Sequence, residues 1–267
     1  MKYLTLTFII FLAASCTTNK YAATNKSYKK QAKELGKVIS KYPVDETKAT
    51  WVGTTNFGLR KPNFVIIHHT AQNSCEQTLK TFTLPRTQVS AHYVICREGK
   101  IHHMLNDYLR AWHAGSGSWG NDKDINSSSI GIELDNNGFE PFSAAQMESL
   151  MTLLDTLKQK YTIPSANFIG HGDIAPTRKN DPNVLFPWES FAKKGFGLWQ
   201  NDTTTTQVPE NFNSLQALRI IGYSIKDSSA AIQAFKQHFL TQDRKGSSNT
   251  FSTEENKILY NLMLQYQ

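Results

Sequence analysis

The run Phe64-Val65-Ile66-Ile67-His68-His69 constrains this chain most. Four apolar residues in a row, three of them β-branched, favour an extended strand buried on both faces, the environment of a parallel sheet. Because the run ends in histidines, it delivers imidazoles to the sheet edge where loops converge and sites are built. Two further segments repeat the pattern: Ser129 to Asp135, and Asn167 to Gly170, which again stops at a histidine, His171. Between them, His92 to Arg97 and Lys100 to Met104 form a hairpin that turns at Glu98-Gly99. A short helix is expected around Cys75 to Phe82. Ser143-x-x-Gln146 is a capping-box pattern, followed by Met147, Leu150, Met151, Leu154, Leu157 and Tyr161 at helical spacing until Pro164. Phe186-Pro187-Trp188 opens another helix. Strands interleaved with helices across residues 51–200 predict an α/β domain, a single mixed β-sheet flanked by helices.

A threonine-rich linker at 201–207 separates this domain from three more helical patterns. These are Leu215, Leu218 and Ile221 closed by Gly222; Ile232, Phe235 and Phe239; and a Ser252-x-x-Glu255 box leading to Ile258, Leu259 and Leu262. They predict a small all-α three-helix domain over 208–267 that folds separately. At the other end, Lys2, an apolar stretch over 3–12 and Ala13-Ala14-Ser15-Cys16 have the layout of an export signal whose apolar core is too short to span a bilayer. The small residues leading into a cysteine resemble the lipobox of bacterial lipoproteins, with Leu12 one position early. That resemblance implies a lipidated Cys16, a membrane partner through the anchor, and a periplasmic location. In a Gram-negative cell the membrane would be the outer one, since Thr17 is not the aspartate of an inner-membrane signal. Residues 17–50 read as a mobile tether. Cys75 and Cys96 either pair in such an oxidising compartment or stay as buried thiols.

The formal charge of +7 invites a nucleic-acid reading until the charges are located. Residues 17–50 hold eight lysines against Glu34, Asp45 and Glu46, and Lys2 adds one, leaving 51–267 almost neutral. A body without a basic stripe is unsuited to counterion-release binding, which excludes nucleic acid as a partner. No protein partner is predicted.

Seven of the eight histidines fall between His68 and His171. His68 and His171 end strands, and Asp181 follows ten residues after the second in a proline-containing loop. Two imidazoles and a carboxylate, with a fourth position for water, are the ligand set of a catalytic zinc rather than a closed structural one.

Five motifs then appear in order: Ile66-Ile67-His68-His69-Thr70, Ser90-Ala91-His92-Tyr93, Ala111-Trp112-His113-Ala114-Gly115, Ser129-Ile130-Gly131-Ile132-Glu133, and Gly170-His171-Gly172-Asp173 running on to Lys179-Asn180-Asp181-Pro182. Over about residues 55–199 the chain resembles the zinc-dependent N-acetylmuramoyl-L-alanine amidases of the type-2 family, relatives of peptidoglycan recognition proteins. The tail is similar, more loosely, to peptidoglycan-binding modules attached to such amidases. The resemblance implies Zn2+ held by His68, His171 and Asp181, Glu133 as the catalytic carboxylate and Lys179 facing the scissile carbonyl. It implies peptidoglycan or muropeptides as substrate, cut between the lactyl group of N-acetylmuramic acid and L-alanine. Trp112, His113, His92 and Arg178 are the candidates for substrate binding, the alternative for His92 being a core residue or one that supports a metal ligand from behind. His69, next to His68 on a strand, should face the other way and serve packing or hydrogen bonding. The competing function is a recognition module of the same fold that binds muropeptides without cutting them. All three ligand positions and both catalytic positions are filled, which favours the enzyme.

Overall fold

A computed structural model of the chain describes residues 19–39, 59 and 61–267. The export signal, Cys16 and much of the expected tether lie outside these residues. The chain divides into two compact units, 1–57 and 58–267. In the first, α1 (Ala22–Ile39) is an 18-residue helix with no buried residue. Part of the expected tether is therefore helical. A composition poor in large apolar groups excludes a packed helix but not a solvated one, and alanine, lysine, glutamine and leucine are good helix formers. Lys37 and Glu34 pair at 2.9 Å on its surface. Among the described residues, no helix is long and apolar enough to cross a membrane.

The second unit is built on one five-stranded sheet: β1 (Phe64–His69), β2 (Tyr93–Ile95), β3 (Ile101–His103), β4 (Ser129–Leu134) and β5 (Phe168–Gly170), in the order β3-β2-β4-β1-β5. β1 runs parallel to β4 and β5, β2 runs parallel to β4, and β3 returns antiparallel through the expected hairpin. The sheet is therefore mixed, as expected. Helix α2 (Cys75–Thr83) begins at a Ser74 cap and α3 (Ile125–Ser128) leads directly into β4. Cys75 and Cys96 form a disulfide between the start of α2 and the residue after β2.

Alternation along the strands sorts the core into two layers. Val65, Ile67, Ile130, Ile132 and Leu134 face α4 (Ala144–Tyr161), where Leu150, Leu153, Leu154 and Leu157 meet them, with α6 (Trp188–Ala192) closing the layer. The Ser143 cap accepts from Gln146 N as expected. The Gln146 side chain does not complete the box. It is buried and donates to Ile95 O and Asp135 O, tying α4 to the strand ends.

On the opposite face, Ile66, Ile169, Trp119, Ile125 and Ile174 share one core with Leu218, Ile221, Tyr223, Ile232, Phe235, Phe239, Leu259 and Leu262. These come from α7 (Ser214–Ile221), α8 (Ser228–Phe239) and α9 (Thr253–Gln265) and the turn after α7. The three expected helices are present, but the expectation that they fold separately is corrected: residues 208–267 cover one face of the sheet within the same compact unit. Apolar stripes in a sequence show that a helix has a buried side but not which partner buries it. Gly222 ends α7 at φ 137°, where the Trp119 indole lies so close that a Cβ would sit 2.3 Å from it.

Candidate active site

Parallel pairing aligns the C-terminal ends of three strands at one edge. In register, His68 of β1 lies opposite Glu133 of β4, and Ile67 lies opposite Gly170 of β5, so His171 emerges beside them. His171 opens the short helix α5 (His171–Ile174). The chain then loops back until Asp181 O accepts from Gly172 N at 2.7 Å, placing the Asp181 side chain under both imidazoles. The bond to Pro182 is cis. His68 Nδ1 and His171 Nδ1 lie 2.9 Å apart, and Asp181 Oδ2 lies 3.2 Å from the first and 3.0 Å from the second. All three residues are buried.

Burial drives the electrostatics of this cluster. Desolvation and the neighbouring His171 hold the His68 pKa down to about 4, against the opposing pull of Asp181. Burial raises the Asp181 carboxyl, but its bonds to His171 and His68 outweigh this and keep it well below the usual carboxylate range. Burial and the Asp181 charge push Glu133 up to about 8, opposed by Lys179. Glu133 Oε1 stands 3.9 Å from His68 Nδ1, and its Oε2 is buried without a hydrogen-bond partner among the described residues. Lys179 is exposed on the 172–182 loop, its charge acting on His68, His69 and Glu133.

Of the proposed substrate contacts, Trp112 is half exposed and Arg178 is exposed, its guanidinium lying over Gly115 with Nη2 3.4 Å from Ala114 O. His113 and His92 are corrected. His113 is buried behind His68, with Nδ1 3.1 Å from His68 Nε2 and Nε2 3.2 Å from Ser129 Oγ. His92 has no exposed surface; its Nε2 lies 2.9 Å from Leu109 O and its Nδ1 accepts from Gly131 N. Both ring nitrogens of each histidine are engaged by the protein, which suits His113 to supporting His68 from behind and His92 to the core role given as its alternative. His69 faces the other way, as strand alternation requires, and accepts from Asn183 N.

Several supporting residues escaped the sequence reading. Asn126 Oδ1 accepts from the amides of both His113 and Ala114. Gly131 leaves room for the His113 ring, which would come within 2.4 Å of a Cβ there. A lone glycine in a β-branched strand signals such a close approach. Asn126 carries no comparable signal, because its role depends on a turn thirteen residues away.

The model of the family described as N-acetylmuramoyl-L-alanine amidase matches residues 58–184. The chain is 32% identical over 206 residues to the N-acetylmuramoyl-L-alanine amidase AmiD of Escherichia coli strain K12, covering 66% of this chain and 74% of that relative. It belongs to this amidase family. The 1,6-anhydro-N-acetylmuramyl-L-alanine amidase AmpD of Haemophilus influenzae is 40% identical over 105 residues, which span 39% of this chain and 57% of that relative. Among solved structures, the complex of E. coli AmiD with the substrate anhydro-N-acetylmuramic acid-L-Ala-D-gamma-Glu-L-Lys superposes with a TM-score of 0.69 at 27% identity. It covers 82% of this chain and 97% of the other. The similarity to this amidase therefore extends well beyond the matched domain.

Proposed function

We propose that this family member is a zinc-dependent peptidoglycan hydrolase that cuts the amide between the lactyl group of N-acetylmuramic acid and the L-alanine of the stem peptide. One observation carries the reading: a buried carboxylate, Glu133, with an unpartnered oxygen, stands beside a triad of convergent donors. The triad fits a zinc ion. Bonds of about 2.0–2.1 Å in a tetrahedral site separate ligand atoms by about 3.3 Å, and the three donor separations here are 2.9, 3.0 and 3.2 Å. His68 Nδ1 and His171 Nδ1 both converge on Asp181 Oδ2, so each ring presents one nitrogen to the same point. The other cluster of metal-binding type among the described residues, Cys75, Cys96 and His102, has its two sulfurs joined in the disulfide.

Zinc bound by His68, His171 and Asp181 would supply Lewis acidity, activating water and polarising the scissile carbonyl. Glu133 is the residue that moves the proton, accepting it from the attacking water and returning it to the leaving amine nitrogen. A carboxyl whose pKa burial has raised toward neutrality suits both directions of transfer. Lys179, the exposed cation on the adjoining loop, shares the negative charge that develops on the carbonyl oxygen. Trp112 and Arg178 present a ring face and a guanidinium to the sugar and peptide of a muropeptide. The recognition-module alternative leaves the buried, unpartnered Glu133 oxygen without a role. In the cell, the chain is exported and anchored to a membrane through lipid on Cys16, which places the enzyme where wall fragments occur.

The test is incubation of the purified protein with anhydro- and reducing muropeptides, with and without chelator, reading products by mass. Free stem peptide should form only with metal present. Glu133→Gln, which retains shape but loses the basic oxygen, should retain zinc and substrate binding and lose about 10²–10⁴-fold in turnover. Binding without cleavage by the parent protein refutes the hydrolase.

A further inference from the structure

The loop 172–182 carries Asp181 and Lys179, yet after α5 it has no regular secondary structure. Side chains that arrive more than fifty residues later in the chain hold its backbone. Arg244, in the connection between α8 and α9, donates through Nη1 to Pro176 O at 2.8 Å and Lys179 O at 2.7 Å, and through Nη2 to Gly172 O at 3.2 Å. Its Nε donates to Gln237 Oε1 at 2.7 Å. That bond orients the Gln237 amide so that Nε2 faces the loop, where it donates to Asn180 O at 2.7 Å and Pro182 O at 2.8 Å. The carbonyls on either side of Asp181 are therefore both held by α8. Gly172 belongs to the same arrangement, since a Cβ there would lie 2.7 Å from Arg244 Nη2.

Deeper in the interface, the Asp173 carboxylate accepts from Gly170 N and Tyr223 Oη and pairs with His238 Nδ1 at 2.7 Å, while the His238 ring stacks on Trp188. A small pocket remains between these groups, lined by Asp173, Trp188, Gln237, His238 and Arg244. The interface is filled by specific side chains.

We propose that Arg244, with Gln237, is a positioning residue for the reaction: it holds the 172–182 backbone so that Asp181 meets His68 and His171. A guanidinium suits this task because it presents five donors in a rigid fork and no acceptor, so one side chain can tie several convergent carbonyls. A lysine carries its three donors on one nitrogen, so it can reach one or two of these carbonyls but not hold them all. The C-terminal helices are on this account part of the catalytic scaffold. The inference rests on the reading of His68, His171 and Asp181 as metal ligands.

The test uses the full chain with Arg244→Ala, Arg244→Lys and Gln237→Ala. Zinc affinity is read by competition with a chelating dye, and site geometry by the visible spectrum of the Co2+ form. Amide hydrogen exchange is measured without metal. Arg244→Ala should weaken zinc binding about 10–100-fold, as loss of outer support for a ligand does. It should also alter the Co2+ absorption and speed exchange at the Gly172, Arg178 and Lys179 amides, while β1 and α4 exchange at the parental rate. Arg244→Lys should recover part of the affinity. A folded Arg244→Ala protein with parental zinc affinity and parental exchange in the loop overturns the proposal. If Arg244→Ala does not fold, the same readouts on Arg244→Lys and Gln237→Ala decide it. If the parent protein binds no zinc, the ligand reading fails on its own, and loop exchange alone decides whether Arg244 holds the backbone.

Discussion

Replacing Gly131 by alanine tests the support of the metal site from beneath. A methyl group at this position lies 2.4, 2.6 and 2.7 Å from three atoms of the His113 ring, where ordinary contact begins near 3.4 Å. The ring must retreat by about 1 Å, because Gly131 is in the centre of β4, paired in register with Ile66, and the strand cannot give. His113 reaches His68 at 3.1 Å and Ser129 at 3.2 Å, so a shift of that size breaks both bonds. Overpacking costs about 1–3 kcal/mol and orphaned buried polar groups about 1–3 more, so destabilisation of about 2–6 kcal/mol is expected. Zinc affinity should fall about 10–100-fold, since the group behind a ligating imidazole is lost. Denaturant unfolding and dye competition measure the two effects. A double-mutant cycle isolates the cause: with His113→Ala in place, the methyl has room and Gly131→Ala should cost little further. Equal cost in both backgrounds would refute the argument that the glycine exists for the His113 ring.

Three further outcomes are expected. Asp107 is buried, which raises its pKa, but the Tyr161 and Tyr93 hydroxyls at 2.6 and 2.7 Å and Lys160 outweigh this and lower it. A depressed carboxyl stabilises the fold above its unfolded value and loses that contribution as pH falls from about 4 through the folded value. Asp107→Asn should therefore cost about 1–3 kcal/mol at pH 7 and flatten the acid limb of stability in urea titrations; an unchanged acid limb contradicts this. Truncation before Pro209 removes the layer that covers Ile66, Ile169 and Trp119, so turnover on soluble muropeptides and on intact sacculi should be lost together. Retained activity on the soluble substrate would mean that the α/β layer stands alone. Expressed in a bacterial host, a Cys16→Ser protein should leave the membrane fraction, and full retention there would place the anchor elsewhere.

Local pattern and tertiary assembly contributed differently. Apolar runs, capping residues and turn glycines were readable because a strand or helix is specified by neighbours within a few positions. β1, the β2–β3 hairpin and α4 accordingly lie where periodicity puts them. The metal-binding candidates were readable because parallel strands bring their ends to one edge, and His68 and His171 stand at two of those ends. At α1 the helix was not announced, because its few large apolar residues, Leu35, Val38 and Ile39, stay exposed and form no buried stripe. The sequence alone determined which residues have the chemistry. Tertiary structure decided their roles: His113 and His92 have the same imidazole as His68, and only packing turns one to the site, one behind it and one to the backbone. The same holds for the C-terminal helices. Their stripes announced a buried face, but the pairing of Asp173 with His238, and of Arg244 with the carbonyls around Asp181, joins positions more than fifty residues apart. No local rule encodes such pairs, because the free energy that selects them arises only when two finished surfaces close on each other and exclude water.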